Sequence, residues 1–218
     1  MRGKDWNWIF DWSGTLVDDL ALVICATNHV MRIYERSEWE RESFRRSFRL
    51  PYDDFYREHL PEVDLDELEG HFRHGFAISK ETVPVLPHAA DFLAFLDSQK
   101  SRMFVLSSMC EKAFGEQVKE LELGHYFEET YAGVLDKRER IGEIISKHGL
   151  DPARTIFVGD MTHDVETAHH GGIYSAGVLT GYNHREVLES VKPTLLLEDL
   201  AEFKAMLDEA EDWHDVIG

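Results

Sequence analysis

Apolar residues in the first third of the chain recur at the spacing of amphipathic helices. Within segment 19–79, Leu22, Ala26, Val30 and Ile33 repeat every three to four residues, which places them on one face of a helix. Further helical stretches follow and are separated by prolines. None of them has the composition of a strand. We therefore predict that segment 19–79 is a compact, all-helical insert.

In the rest of the chain, short apolar runs alternate with helical stretches. The runs are WNWIF, RMFVLSS, ETYAGVL, TIFVGD, IYSAGVLTG and, nearer the C-terminus, PTLLL. Short buried strands separated by helices predict a parallel sheet with right-handed crossovers. We therefore predict an α/β fold in which residues 1–18 and 80–218 form the sheet-containing domain and residues 19–79 form a helical domain.

The polar residues that follow the apolar runs are candidate site residues, because ligands in open parallel sheets bind beyond the carboxyl ends of the strands. Asp11, Ser107, Lys137 and Asp160 occupy such positions. Asp11 and Asp160 could converge on one divalent cation, with Asp164 one helical turn farther along. Carboxylate oxygens are ligands that Mg²⁺ prefers, usually together with substrate phosphate and water.

The remaining polar groups at these strand ends suit a phosphoryl group. Ser107 and Ser108 offer hydroxyl and amide donors at a strand-to-helix junction. Gly14, in the stretch SGT, offers flexible backbone amides just beyond Asp11. Lys137 adds a positive charge. Together these groups would hold a phosphoryl group beside a carboxylate nucleophile, in a reaction that depends mainly on charge neutralisation.

Composition narrows the choice of partner. The formal net charge of −19 argues against general nucleic-acid binding, which needs a basic surface. No apolar run approaches the ~20 residues of a membrane span. The two cysteines suggest no disulfide framework, which favours a reducing, cytoplasmic environment. We expect a small phosphorylated metabolite as the partner, and neither nucleic acid nor a membrane.

Four stretches resemble, in order, the motifs of the haloacid dehalogenase superfamily: DWSGTLVDD, FVLSS, Lys137 and GDMTHD. The resemblance covers nearly the whole chain, since segment 19–79 lies where that superfamily carries a small helical cap. It implies a Rossmann-like core and a phosphatase that acts on small phosphorylated metabolites, including phosphoglycolate. It leaves open whether the protein is a monomer or a homodimer.

The resemblance also implies roles for individual residues. Asp11 would be the nucleophile and would form an aspartyl-phosphate intermediate. Ser107 and Lys137 would hold the phosphoryl group. The groups implied for Mg²⁺ are Asp11, the backbone carbonyl of Ser13, Asp160 and, as a ligand or a support to one, Asp164.

Ser13 departs from the superfamily pattern. Phosphatases of this group usually have an aspartate two residues after the nucleophile, where it acts as general acid and then as general base. A serine hydroxyl is a poor proton donor. General acid–base assistance is worth ~10²–10⁴ in rate, or about 3–5 kcal/mol of barrier. We therefore expect a phosphatase that tolerates the loss, with Ser13 among its catalytic residues.

Three other interpretations stay open. DWSGT is close to the DWAGT opening of phosphonoacetaldehyde hydrolases, but those enzymes need a cap lysine that forms an imine. Segment 19–79 contains eight arginines and no lysine, and Lys80 falls at its end. A dehalogenase would not need the carboxylates of VGDMTHD. The last alternative is a phosphate- or metal-binding regulatory protein with weak or no catalysis.

Four arginines cluster in the stretch ERESFRRSFR: Arg41, Arg45, Arg46 and Arg49. One of them could contact a carboxylate or second phosphate of a substrate. Because glutamates are interspersed among them, we favour the interpretation that they form a charged, solvated helix face.

Overall fold

The computed structural model describes residues 3–218 and contains one six-stranded parallel sheet. Its order is β3-β2-β1-β4-β5-β6, with β1 at the centre. The strands are β1 Asn7–Phe10, β2 Arg102–Leu106, β3 Glu129–Tyr131, β4 Thr155–Gly159, β5 Tyr174–Val178 and β6 Leu195–Leu197. The predicted α/β, Rossmann-like fold is therefore confirmed. The run ETYAGVL contributes only the three residues of β3, at one edge of the sheet.

Helices cover both faces of the sheet. Alternate residues of β1 point to opposite faces, so Trp8 and Phe10 pack in one apolar cluster and Ile9 packs in another. Short 3-10 turns lie at Gly124–Tyr126 and Pro152–Arg154. The helices of this part are α5 Ala89–Ser98, α6 Glu111–Glu120, α7 Lys137–His148, α8 Thr162–Gly171, α9 Arg185–Ser190, α10 Leu200–Glu209 and α11 His214–Ile217.

Segment 19–79 is helical, as its apolar periodicity predicts. It contains α1 Leu20–Ile33, α2 Arg41–Ser47, α3 Tyr52–His59 and α4 Leu65–Ile78, and no strand. These helices bury an apolar cluster distinct from the two clusters against the sheet. Helices α1 and α4 pack closely at Gly75, where an added Cβ would lie 2.7 Å from the Cβ of His29. The domain boundaries at residues 18/19 and 79/80 stay a prediction.

The order of the strands fixes where a ligand would bind. From β1 the chain adds β2 and β3 on one side, then returns to the other side of β1 to add β4, β5 and β6. This reversal leaves a crevice at the carboxyl ends of β1, β2 and β4. None of the helices in residues 3–218 is long and apolar enough to cross a membrane.

Candidate active site

Three buried carboxylates meet in the crevice at the strand ends. Asp11 directly follows β1, Asp160 directly follows β4, and Asp164 lies in the first turn of α8. One carboxylate oxygen from each lies within 4.8 Å of the others. All three residues are at most 3% exposed. The structure thus brings together the acidic residues that the sequence pattern selected.

Lys137 joins two of these carboxylates. It is the first residue of α7 and is fully buried. Its Nζ donates hydrogen bonds to Asp11 Oδ1 and to Asp164 Oδ1, both at 2.7 Å. Burial alone would lower the pKa of Lys137, but the two carboxylates outweigh burial and raise it. The ammonium therefore stays charged between them.

The cluster contains more acidic than basic groups, which makes ionisation of all its carboxyl groups unfavourable without a cation. Burial raises the pKa of Asp11 to about 7, although the Lys137 ammonium opposes the shift. Burial, followed by the charges of Asp11 and Asp164, also raises the pKa of Asp160 well above its usual value. When all three are ionised, three buried carboxylates and one ammonium leave two negative charges unbalanced, and a divalent cation would balance them. An all-oxygen donor set of this kind fits Mg²⁺.

Two glycines allow the backbone to approach Asp160. Gly14 has a φ of +75°, and an added Cβ there would lie 2.5 Å from Asp160 Oδ2. A Cβ on Gly181 would collide with the same carboxylate and with the Cα of Gly14. Asp160 also accepts hydrogen bonds from Thr15 Oγ1 at 3.1 Å and from the Tyr182 backbone N–H at 2.6 Å. The loop after β5 therefore forms one wall of the site, which sequence spacing did not indicate.

Ser13 donates a hydrogen bond to a carboxyl group that the sequence analysis missed. Ser13 Oγ lies 2.6 Å from Asp19 Oδ2, and the Tyr182 hydroxyl donates to Asp19 Oδ1 at 3.0 Å. Asp19 is fully buried, and burial raises its pKa to about 6 against the effect of these two hydrogen bonds. An aspartate before a helix usually caps it. The Asp19 side chain makes no such capping bond with α1, so the usual structural explanation fails.

The two serines after β2 differ in their surroundings. Ser107 is buried, and its Oγ accepts a hydrogen bond from the Met109 backbone N–H at 3.2 Å. Ser108 is half-buried and lines a cavity that also opens onto Asp11 and Ser13. The structure places both serines at the same sheet edge as the carboxylates. Their contact with a phosphoryl group, like that of Gly14, stays a prediction.

His163 is a further buried group beside Lys137. Its Nε2 accepts a hydrogen bond from the Lys137 backbone N–H at 3.1 Å, at the start of α7. Burial, together with the Lys137 charge, lowers the pKa of His163 to about 4. The imidazole is therefore neutral near pH 7. It positions the helix that carries Lys137.

Known proteins share this architecture. The sequence profile described as haloacid dehalogenase-like hydrolase matches residues 8–178. A phosphoglycolate phosphatase from Synechococcus elongatus is 29% identical over 203 residues, which are 87% of this chain and 91% of that relative. A pyrophosphatase, PpaX, from Oceanobacillus iheyensis is 23% identical over 198 residues, covering 88% of this chain and 92% of the relative.

Solved structures of known proteins have the same fold as this chain. A haloacid dehalogenase-like family hydrolase from Streptococcus pneumoniae superposes with a TM-score of 0.83 at 20% identity, covering 94% of this chain and 99% of that one. At that identity the likeness shows the fold. The profile match, in contrast, spans most of the chain and includes Asp11, Ser107, Lys137 and Asp160. The chain therefore belongs to the haloacid dehalogenase-like hydrolases.

Proposed function

We propose that this chain is a Mg²⁺-dependent phosphatase that acts on a small phosphorylated metabolite, with Asp11 as the nucleophile. One observation carries the proposal. A carboxylate of Asp11, held by Lys137 at 2.7 Å, lies in a cluster with two further buried carboxylates and borders a cavity of about 1110 Å³. This arrangement presents a nucleophile to a bound phosphate ester and surrounds it with metal-binding oxygens.

The reaction has two steps. A carboxylate oxygen of Asp11 attacks phosphorus, the ester P–O bond breaks, and the alcohol oxygen leaves with the bonding electron pair and takes up a proton from water. A water molecule then attacks the phosphorus of the aspartyl phosphate, and the P–O bond to the Asp11 oxygen breaks with its electron pair staying on that oxygen. The protons of the water go to solvent, inorganic phosphate is released, and the Asp11 carboxylate is restored.

The side chains around Asp11 orient and neutralise the reacting groups. Lys137 holds Asp11 in place and offsets its charge. Ser107, Ser108 and the amide of Gly14 would donate hydrogen bonds to phosphoryl oxygens. The cation would be held by Asp11, the backbone carbonyl of Ser13, Asp160 and Asp164. Mg²⁺, when bound, supplies positive charge that polarises the phosphoryl group.

The relatives support this proposal over its alternatives. Two of them are named as a phosphoglycolate phosphatase and a pyrophosphatase, and both names describe cleavage of a P–O bond. A phosphonoacetaldehyde hydrolase would need an imine-forming lysine near the substrate. Segment 19–79 contains no lysine, and Lys80 is exposed and is not among the described residues that line the cavity. The lysine that does line it, Lys112, is exposed on α6, outside the helical insert.

The proposal is tested by phosphate release from acetyl phosphate, with Mg²⁺ and with a chelator. We expect turnover that the chelator abolishes and that falls by at least about 10³-fold in Asp11→Asn. The matched control is Asp91→Asn, an exposed aspartate on α5, which should retain wild-type turnover. Equal turnover in Asp11→Asn and Asp91→Asn would contradict the assignment of the nucleophile. The absence of all turnover would favour the phosphate-binding alternative.

A further inference from the structure

We propose that the substrate is an aryl phosphate, a phosphate monoester whose leaving alcohol is an uncharged, phenol-like aromatic group with no second anion. This inference rests on the proposed phosphatase function. It follows from two independent features of the site, which are the walls of the cavity and the side chain at position 13.

The part of the cavity lining that the helical insert contributes is largely aromatic. It is formed on the insert side by Phe48, Leu50, Tyr52, Phe72 and Phe76, all of them half-buried. Phe72 and Phe76 are one turn apart on α4, with ring centroids 6.0 Å apart. Binding is favoured when an apolar group covers the exposed surface of such rings, and an aromatic group adds ring–ring contacts that favour it further.

The polar groups on this wall are already paired with one another. The Tyr52 hydroxyl donates to Glu69 Oε1 at 2.5 Å, and Arg73 donates to Glu69 Oε2 at 2.9 Å. The positive charge of Arg73 is therefore offset by Glu69, which lies on the same helix. Glu69 is likewise engaged on both oxygens, so the wall offers no unpaired carboxylate to a cationic leaving group.

The charge around the cavity opposes a second anion on the substrate. Among the described lining residues there are seven carboxylic acids and two basic residues, Arg73 and Lys112. Lys112 is exposed on α6, where Glu111, Glu116 and Glu120 also line the cavity. A substrate carboxylate or second phosphate would meet net repulsion there.

The arginines in the stretch 41–49 do not supply a positive charge to the cavity. Arg45 donates to the backbone carbonyls of Tyr182 and Asn183, at 3.2 and 3.5 Å. Arg49 pairs with Glu58 at 2.5 Å. Neither arginine is among the described residues that line the cavity. These contacts give Arg45 and Arg49 structural partners, although Arg45 is mostly buried and Arg49 follows α2, so neither belongs to the solvated helix face that the sequence suggested.

The identity of residue 13 points to the same class of leaving group. The Ser13 hydroxyl donates a hydrogen bond to Asp19, so its proton is directed away from a departing oxygen. A phenol ionises near pH ~10, as tyrosine does, whereas an aliphatic alcohol is a far weaker acid. Phenolate can therefore leave without the general acid that an alkoxide needs. An aromatic wall and a missing acid both suit an aryl phosphate.

The test compares 1-naphthyl phosphate with phosphoglycolate, ethyl phosphate and phosphocholine in the presence of Mg²⁺. We expect kcat/KM for 1-naphthyl phosphate to exceed each of the others by about 100-fold. In Phe72→Ala and Phe76→Ala, the ratio of kcat/KM for 1-naphthyl phosphate to that for acetyl phosphate should fall roughly tenfold. Phe95→Ala, a half-buried ring on α5 that does not line the cavity, is the matched control and should keep the wild-type ratio.

Binding distinguishes a failure of this inference from a failure of the proposed function. Calorimetry with 1-naphthylmethylphosphonate, which has no ester bond to cleave, should show tighter binding than phosphonoacetate by at least about tenfold. That result without turnover of either acetyl phosphate or 1-naphthyl phosphate would refute the phosphatase and retain the aryl preference in binding. Equal or better binding of phosphonoacetate, or equal turnover of phosphoglycolate or phosphocholine, would overturn the inference.

Discussion

Ser13 and Asp19 form a partly buried hydrogen-bonded pair beside the nucleophile candidate. The sequence resemblance leads us to expect an aspartate at position 13, and a buried carboxyl group lies 2.6 Å from the hydroxyl of the serine present there. Tyr182 holds the other oxygen of that carboxyl. The substitution at position 13 is therefore part of a hydrogen-bonded group of three side chains, and its effects depend on all three.

Ser13→Asp alone should restore little general acid catalysis. It places a second carboxylate against the buried Asp19, so we expect a lower unfolding temperature and little gain in turnover. The double variant Ser13→Asp with Asp19→Ser removes that repulsion and keeps a hydrogen-bond partner. We expect the double variant to hydrolyse ethyl phosphate about tenfold or more faster than wild type, since general acid assistance is worth ~10²–10⁴. A single variant that outperforms the double variant in steady-state assays would show that Asp19 does not constrain position 13.

The raised pKa of Asp19 predicts a pH dependence of stability. The folded-state pKa is about 6 against an ordinary value of 3.8, so the folded protein binds the proton more tightly than the unfolded chain. The resulting stability is present in full below pH ~4 and is lost as the pH rises through ~6, by about 3 kcal/mol in total. Urea unfolding of wild type and Asp19→Asn between pH 4 and 7, without Mg²⁺, should therefore give curves that diverge. Parallel curves would contradict the burial of an ionisable carboxyl at this position.

At the scale of elements, much of the site could be predicted, because strand ends in a parallel sheet converge. The position of Asp11, Asp160 and Lys137 at the starts of loops or helices was enough to group them. The loop after β5 could not be found in this way. Tyr182 is 163 residues from Asp19 in sequence, and no periodicity links them. Contacts of that kind follow from how the elements pack.

The loop after β5 should tolerate no side chain at Gly181. Gly181→Ala drives a Cβ into the Asp160 carboxylate and the Gly14 backbone, so we expect a loss of 1–3 kcal/mol, about the usual cost of overpacking, and weaker Mg²⁺ binding. Gly142→Ala is the control, because that glycine lies within α7 with nothing within 4 Å of the added Cβ. It should stabilise the protein by about 0.5–1 kcal/mol. Similar unfolding midpoints in urea for both variants would contradict the close approach at Gly181.

At the scale of the whole molecule, the negative net charge opposes the binding of an anionic substrate at the candidate site. The chain carries a formal net charge of −19, yet its reaction would require an anionic phosphate to approach. Lys137 is fully buried, and its ammonium group already pairs with the carboxylates of Asp11 and Asp164. A bound cation is therefore the most direct way to make the strand ends attractive to phosphate.

Mg²⁺ should stabilise the folded protein by mass action. At 100 times its dissociation constant, a ligand specific to the folded state adds about 2.7 kcal/mol, which raises the Tm of a chain of this size by roughly 5–10 °C. Thermal scans with MgCl₂ against NaCl of equal ionic strength separate specific binding from screening of the net charge. In Asp160→Asn the difference between the two salts should disappear. A Tm that rises equally in both salts would show that the acidic cluster binds no divalent cation.

The central claim is that Asp11 becomes phosphorylated, and trapping of the intermediate tests it most directly. Wild-type protein mixed with acetyl phosphate and Mg²⁺ would be quenched in acid within one turnover and digested for mass spectrometry. We predict one phosphoryl group on the peptide that contains Asp11, located on that side chain and absent when Mg²⁺ is chelated. Phosphate release without any label on Asp11, or a label on another residue, would contradict the account.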